Sequence, residues 1–127
     1  MKVLYLETKS KQEFIDITEM VFYQIEEWYN WVLTLFVPHT TCWIMINEWY
    51  DPDVMLDLWN YLNELVPVKN YFRHLEWNSD AHIKSALIWV SLNVIVENGQ
   101  LILGRWQRIF FCEFDWPRRR KIYLKKV

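Results

Sequence analysis

Three histidines, His39, His74 and His82, sit in polar surroundings: Pro38-His39-Thr40-Thr41, Phe72-Arg73-His74 and Asn78-Ser79-Asp80-Ala81-His82. Imidazoles suit Zn²⁺ or another borderline divalent ion, and three of them leave a fourth coordination position open. No short ligand motif of the His-Glu-x-x-His kind links them, so only the fold can bring them together. The alternative is three separate surface or hydrogen-bonded histidines. Thr40 and Thr41 offer hydroxyls and backbone N–H groups to a phosphate, or are an ordinary strand-end pair. Glu48 and Asp57 are carboxylates able to hold Mg²⁺ or act as a general base. Asp57 reads equally well as part of a solvated helix face. Asn78 and Asp80 bracket the approach to His82, and Asp80 is either a helix cap or the partner that fixes the His82 tautomer. Gln107, after Gly104-Arg105-Trp106, is a ligand donor or an exposed strand residue. The run Arg118-Arg119-Arg120, followed by Lys121, Lys125 and Lys126, is the one basic cluster. Arg118, beside Pro117, is expected to clamp phosphate, and the rest to form a solvated strand edge that resists aggregation.

The elements that must position these groups are short. Val3 to Thr8 alternates as a strand, Lys9-Ser10-Lys11 is a polar turn, and Glu13 to Ile15 reads as the hairpin partner. Asp16-Ile17-Thr18-Glu19 opens a helix by a capping box, with Thr18 the other N-cap candidate. Ile17, Val21 and Ile25 share one face of that helix, which continues through Glu27. Val32 to Val37 is a strand ended by Pro38, and Ile44 to Glu48 is another. Asp51-Pro52 starts a second helix, with Asp as N-cap and Pro at the first helical position, running to Pro67. Asp80 to Leu87 is a short helix with Asp80 as a candidate cap. Glu97-Asn98-Gly99-Gln100 between two apolar runs is a hairpin. Ile109 to Phe114 and Lys121 to Lys125 complete the strands. The sum is a single compact α+β domain, residues 1–127, with about eight mostly antiparallel strands and two or three helices.

Composition excludes much. The chain has 127 residues, 53% hydrophobic and 24% charged, so it is neither disordered nor collagen-like. The longest apolar runs, Cys42 to Ile46 and Ala86 to Val90, fall far short of a membrane span. The start lacks a signal-peptide apolar region, and a cytoplasmic location is expected. Cys42 and Cys112 lie in apolar strand-like runs and read as two buried thiols. A net charge of −2 gives no ground for nucleic-acid binding.

Phe36-Val37-Pro38-His39-Thr40-Thr41, Ile46-Asn47-Glu48, Asp51-Pro52 and Asp57 resemble the YjbQ-like family. So do Tyr71 and His74, Asn78-Ser79-Asp80-Ala81-His82-Ile83, Leu103-Gly104 with Trp106-Gln107, and Phe114-Asp115 with Pro117-Arg118-Arg119-Arg120. The similarity extends over nearly the whole chain. It implies a small α+β homotrimer, with the three histidines lining one shared pocket near a subunit boundary. Members are often described as secondary thiamine-phosphate synthases, which displace diphosphate. On that reading Glu48 or Asp57 holds metal, Arg118 with Thr40 and Thr41 holds phosphate, and the histidines hold a second metal or serve as acid. A three-histidine site prefers Zn²⁺ whereas diphosphate chemistry ordinarily uses Mg²⁺. A metal- or anion-binding trimer, or a metal-dependent hydrolase, is therefore the alternative.

One departure is systematic. The chain has 9 tryptophans and 2 glycines, where about nine glycines are expected at this length. Trp28, Trp31, Trp43, Trp49, Trp77, Trp89 and Trp116 stand where the family pattern has or accepts glycine, several of them at turns and helix ends. Trp59 and Trp106 fit the pattern as tryptophans. A large aromatic at positive φ is costly. The seven positions are expected to differ from the form of the chain that folds.

Overall fold

The computed structural model describes all 127 residues. Its elements run β1 (Lys2–Glu7), β2 (Glu13–Asp16), α1 (Thr18–Phe22), β3 (Val32–Phe36), β4 (Cys42–Glu48), α2 (Pro52–Leu65), α3 (Ser79–Ile88), β5 (Ser91–Glu97), β6 (Gln100–Leu101), β7 (Gln107–Glu113) and β8 (Arg119–Lys126). The fold is α+β, with antiparallel strands in two sheets ordered β1-β8-β3-β5-β6 and β2-β7-β4. Alternation along each strand sends one side of each sheet into a shared core. Leu4 and Leu6 of β1, Leu33 and Leu35 of β3, Val94 and Val96 of β5, and Ile122 and Leu124 of β8 meet Ile44, Ile109 and Phe111 of the smaller sheet there. The other face of the smaller sheet presents Trp43, Phe110 and Cys112 to α2 and α3. The layers are therefore sheet, sheet, helices.

Asp51 caps α2 through its side chain, which accepts from the Asp53 N–H at 3.0 Å, and Pro52 opens the helix as expected. Asn98-Gly99 makes the β5–β6 hairpin, with φ of 50° and 71°. Cys42 and Cys112 are free and buried. Burial pushes the Cys42 thiol up to about 12 and raises the Cys112 thiol as well, so neither is a nucleophile.

Four expectations are corrected. β2 does not pair with β1: it pairs with β7, while β1 pairs with β8. The turn between β1 and β2 therefore hands the chain from one sheet to the other. The first helix ends at Phe22, not near Glu27, and has no side-chain cap; the Asp16 carboxylate accepts from the Thr18 N–H at 3.0 Å and also binds Arg108 at 2.7 Å. β8 is not a solvated edge, because it lies between β1 and β3. Asp80 does not cap α3, which starts from Asn78 without a side-chain cap bond.

Candidate functional site

Three loops converge beyond the ends of β3, β7 and the start of α3. Pro38 stops β3 and turns the chain through His39, Thr40 and Thr41 into β4. Phe114 to Arg118 joins β7 to β8. Glu76 to Asn78 leads into α3. Together they enclose a cavity of about 310 Å³ walled by Pro38, His39, Thr40, Thr41, Glu76, Asn78, His82, Asp115, Arg118 and Arg120, with no hydrophobic side chain among them.

Its floor is a buried ion pair. Glu113, fully buried, receives the Thr8 hydroxyl at 2.7 Å, the Arg120 Nε–H at 2.9 Å and an Arg120 Nη2–H. The Phe114 and Asp115 N–H groups add bonds at 3.1 Å and 3.2 Å. Arg120 also donates from Nη2 to the Thr41 hydroxyl at 2.9 Å. Burial works against the Arg120 charge, but the bonds to Glu113 outweigh it and hold the guanidinium proton more firmly than usual.

The wall is a second set of bonds. Asp115 accepts from Asn78 Nδ2 at 2.7 Å and from Arg118 Nη2 at 3.4 Å, while Arg118 also donates to the Asp115 carbonyl. The Arg118 side chain is 46% exposed and its bonds to Asp115 both come from Nη2, so Nε and Nη1 of its donor fork remain free. Asn78 Oδ1 is buried and has no hydrogen-bond partner. An orphaned acceptor in a polar cavity is a place for a ligand donor.

His39 is fixed in one tautomer. The Lys121 N–H donates to its Nε2 at 3.0 Å, so the neutral ring carries its proton on Nδ1. Burial lowers its pKa, and the Arg120 and Lys121 charges push the same way. The folded value lies below the unfolded one near 6.5, so at acid pH the unfolded chain takes up the proton first. Stability contributed here is full above about pH 6.5 and falls as pH drops through that value. Urea midpoints at neutral pH and near pH 5.5 should therefore differ more for the parent protein than for His39→Asn. Equal differences would show that His39 carries no such linkage.

Of the predicted site residues, the cavity gathers His39, Thr40, Thr41, Asn78, His82 and Arg118. His74 stands at the rim, its ring 5.3 Å from that of His82 and its Nε2 3.7 Å from Glu76. Asp80 neither caps the helix nor touches His82: it is buried with its carboxylate 3.6 Å from Lys84 Nζ. Gln107 serves a turn, its Oε1 accepting from the Gly104 N–H at 2.7 Å. Glu48, at the far end of β4, and the exposed Asp57 on α2 do not line the cavity. No three His, Cys, Asp or Glu side chains stand close enough to share an ion, and His39 Nε2 already accepts a bond. The donors of this chain alone do not fit a metal centre. Arg120, Glu113 and Asp115 are the functional groups that sequence reasoning passed over. The signal for Arg120 was present in the alternation of Arg120, Ile122 and Leu124, which puts the arginine on the core face.

The sequence model of the UPF0047 YjbQ-like family matches residues 2–127. A UPF0047 protein of Methanocaldococcus jannaschii is 46% identical over 96% of this chain and 90% of its own. The UPF0047 protein YugU of Bacillus subtilis is 45% identical over 100% and 98%. Among solved structures, an uncharacterised conserved protein of Clostridium acetobutylicum superposes with a TM-score of 0.94 at 42% identity, covering 100% of both chains. A conserved hypothetical protein of Thermus thermophilus gives 0.91 at 41% identity, covering 98% of this chain and 99% of its own.

Proposed function

The chain belongs to the YjbQ-like UPF0047 family, and from that premise we propose that its polar cavity binds a small phosphorylated molecule. The observation that carries this is the free part of the Arg118 fork, set in a cavity whose lining also includes the Arg120 guanidinium, the Asn78 amide, the Thr40 and Thr41 hydroxyls and the His39 and His82 imidazoles. Charge-assisted bonds from a guanidinium suit phosphate oxygens. The finer reading is diphosphate displacement of the thiamine-phosphate synthase type. There a carbon–oxygen bond of a pyrimidine diphosphate breaks, a carbon–nitrogen bond to a thiazole phosphate forms, and the electron pair leaves with diphosphate. Arg118 would steady the departing charge, with the His39 Nδ1–H and the Thr40 hydroxyl beside it.

Calorimetric titration with pyrophosphate tests binding. Loss of charge-assisted bonds in Arg118→Ala should weaken it about ten- to a hundredfold. Unchanged affinity would remove Arg118 from the site and sink the reading. Pyrophosphate release from the two substrates, lost in Arg118→Ala, would support displacement chemistry. Stoichiometric zinc that disappears in His82→Ala would favour the metal-binding alternative instead.

A homotrimer is part of the same proposal. The outer face of the five-stranded sheet carries exposed Val3, Tyr5, Phe36 and Ile95, a patch that assembly would cover. Phe36 immediately precedes the loop that holds His39, which puts this face next to the cavity. Sedimentation should give a trimer; a monomer that binds pyrophosphate fully would overturn it.

A further inference from the structure

Four residues other than glycine have positive φ: Asn98, Trp77, Trp89 and Trp116. Asn98 belongs to an Asn-Gly hairpin, where asparagine is a natural occupant. The other three are all tryptophan, with φ of 60°, 92° and 68°. Trp89 follows α3 with φ 92° and ψ 161°, a backbone region essentially restricted to residues without a Cβ. Burial offers no compensation, since these three residues are 65%, 61% and 58% exposed.

Trp43 breaks a different rule. It is fully buried, and its ring centroid lies 3.3 Å from that of Phe114. Stacked rings ordinarily keep about 4.5 Å or more between centroids. Trp59 and Trp106 behave otherwise: Trp59 lies inside α2 and stacks on Phe114 at 5.4 Å, and neither has positive φ.

The misfit is therefore selective. It falls on part of the tryptophan set, on backbone only glycine takes easily, in a chain short of glycine by about the size of the tryptophan surplus. Divergence under selection would not concentrate a single replacement on the most glycine-demanding positions. A codon would. UGA, one base from the tryptophan codon UGG, is a stop in most organisms, tryptophan in some and glycine in others. Glycines written with the GGN codons, such as Gly99 and Gly104, would be untouched by its meaning.

We propose that Trp77, Trp89, Trp116 and Trp43 are encoded by UGA and that the organism's own translation inserts glycine there. The working protein then holds six glycines and five tryptophans. Three of the affected positions flank the candidate site: Trp77 precedes Asn78, Trp116 follows Asp115, and Trp89 borders the cleft beside His39 and His82. Glycine lets these loops keep their backbone without steric conflict and removes three indoles from the surroundings of the phosphate-binding groups.

The gene and the native protein test this directly. UGA at these four positions, UGG at Trp59 and Trp106, and peptides from the host carrying the glycine mass at residues 77, 89 and 116 are expected. UGG at any of those three, or peptides with the tryptophan mass there, would overturn it. Recombinant chains with glycine or tryptophan at these four positions provide a second measurement: the glycine form should melt higher, and a lower melting point would contradict the proposal.

Discussion

Replacing Glu113 with alanine is expected to remove about 3–5 kcal/mol of folding stability, because it strands the Arg120 guanidinium in the interior without its counter-charge. That is a large share of the roughly 5–15 kcal/mol that holds a domain together. The loss should exceed that of any single apolar truncation at the protein surface. Five donors end on this one carboxylate, and two of them are backbone N–H groups of the loop that carries Asp115. Glu113→Ala should therefore also weaken pyrophosphate binding by disordering the cavity wall. Replacing both partners by apolar residues of similar volume, Glu113→Leu with Arg120→Met, should recover much of the stability but not the binding. Urea unfolding reads the first effect and calorimetry the second. A single-variant loss under about 1 kcal/mol would show that Arg120 finds other partners or water, contrary to the burial described.

Trp89→Gly should do the opposite and stabilise the protein by about 1–3 kcal/mol, the strain of holding a side chain in that region of φ and ψ. The gain is unusual in sign, since most substitutions destabilise and glycine adds freedom to the unfolded chain. Here the native backbone already has the glycine conformation, and the exposed indole gives up little packing. Trp59→Gly is the control. It opens a hole between Phe14 and Phe114 inside α2, and should cost about 3–5 kcal/mol for the lost packing plus about 1 kcal/mol for helix propensity. Denaturant midpoints for the two variants should move in opposite directions. A fall in both would mean that the α3 end tolerates the indole.

Local signals proved readable where a local bond settles the structure. Asp51-Pro52 determines a cap through a contact within three residues, and Asn98-Gly99 determines a turn through its own backbone preference, with the Asn98 and Gly99 N–H groups then donating to Asn30 Oδ1 and the Tyr29 carbonyl. Thr41, His39 and Arg118 were legible as site candidates because proline and aspartate turns bring polar groups to loop ends. What failed depended on partners far away in sequence. β2 alternates like a hairpin strand, but its pairing with β7 rather than β1 is decided by which sheet buries Phe14 and Ile15. Asp80 looked like a cap because a cap is local, yet it answers to Lys84, whose ammonium is buried against Phe114 and bonded to Asn63 on α2. Burial lowers the Lys84 pKa against the pull of Asp80, a balance invisible without the packing. Glu113 reads as an ordinary strand-end carboxylate until Thr8 and Arg120 are placed beside it.

The position of β8 bears on how the protein comes into being. It is made after β1 to β7, and it lies between β1 and β3, pairing with both. Until it emerges from the ribosome, β1 has no partner in its sheet and β3 presents an open edge, so the larger sheet cannot close before β8 is made. Arg120 travels on the same strand, and Glu113 must wait, buried-to-be and uncompensated, for it to arrive. Completion of the sheet, neutralisation of the interior carboxylate and assembly of the cavity are thus one late event, dominated by long-range contacts and correspondingly slow.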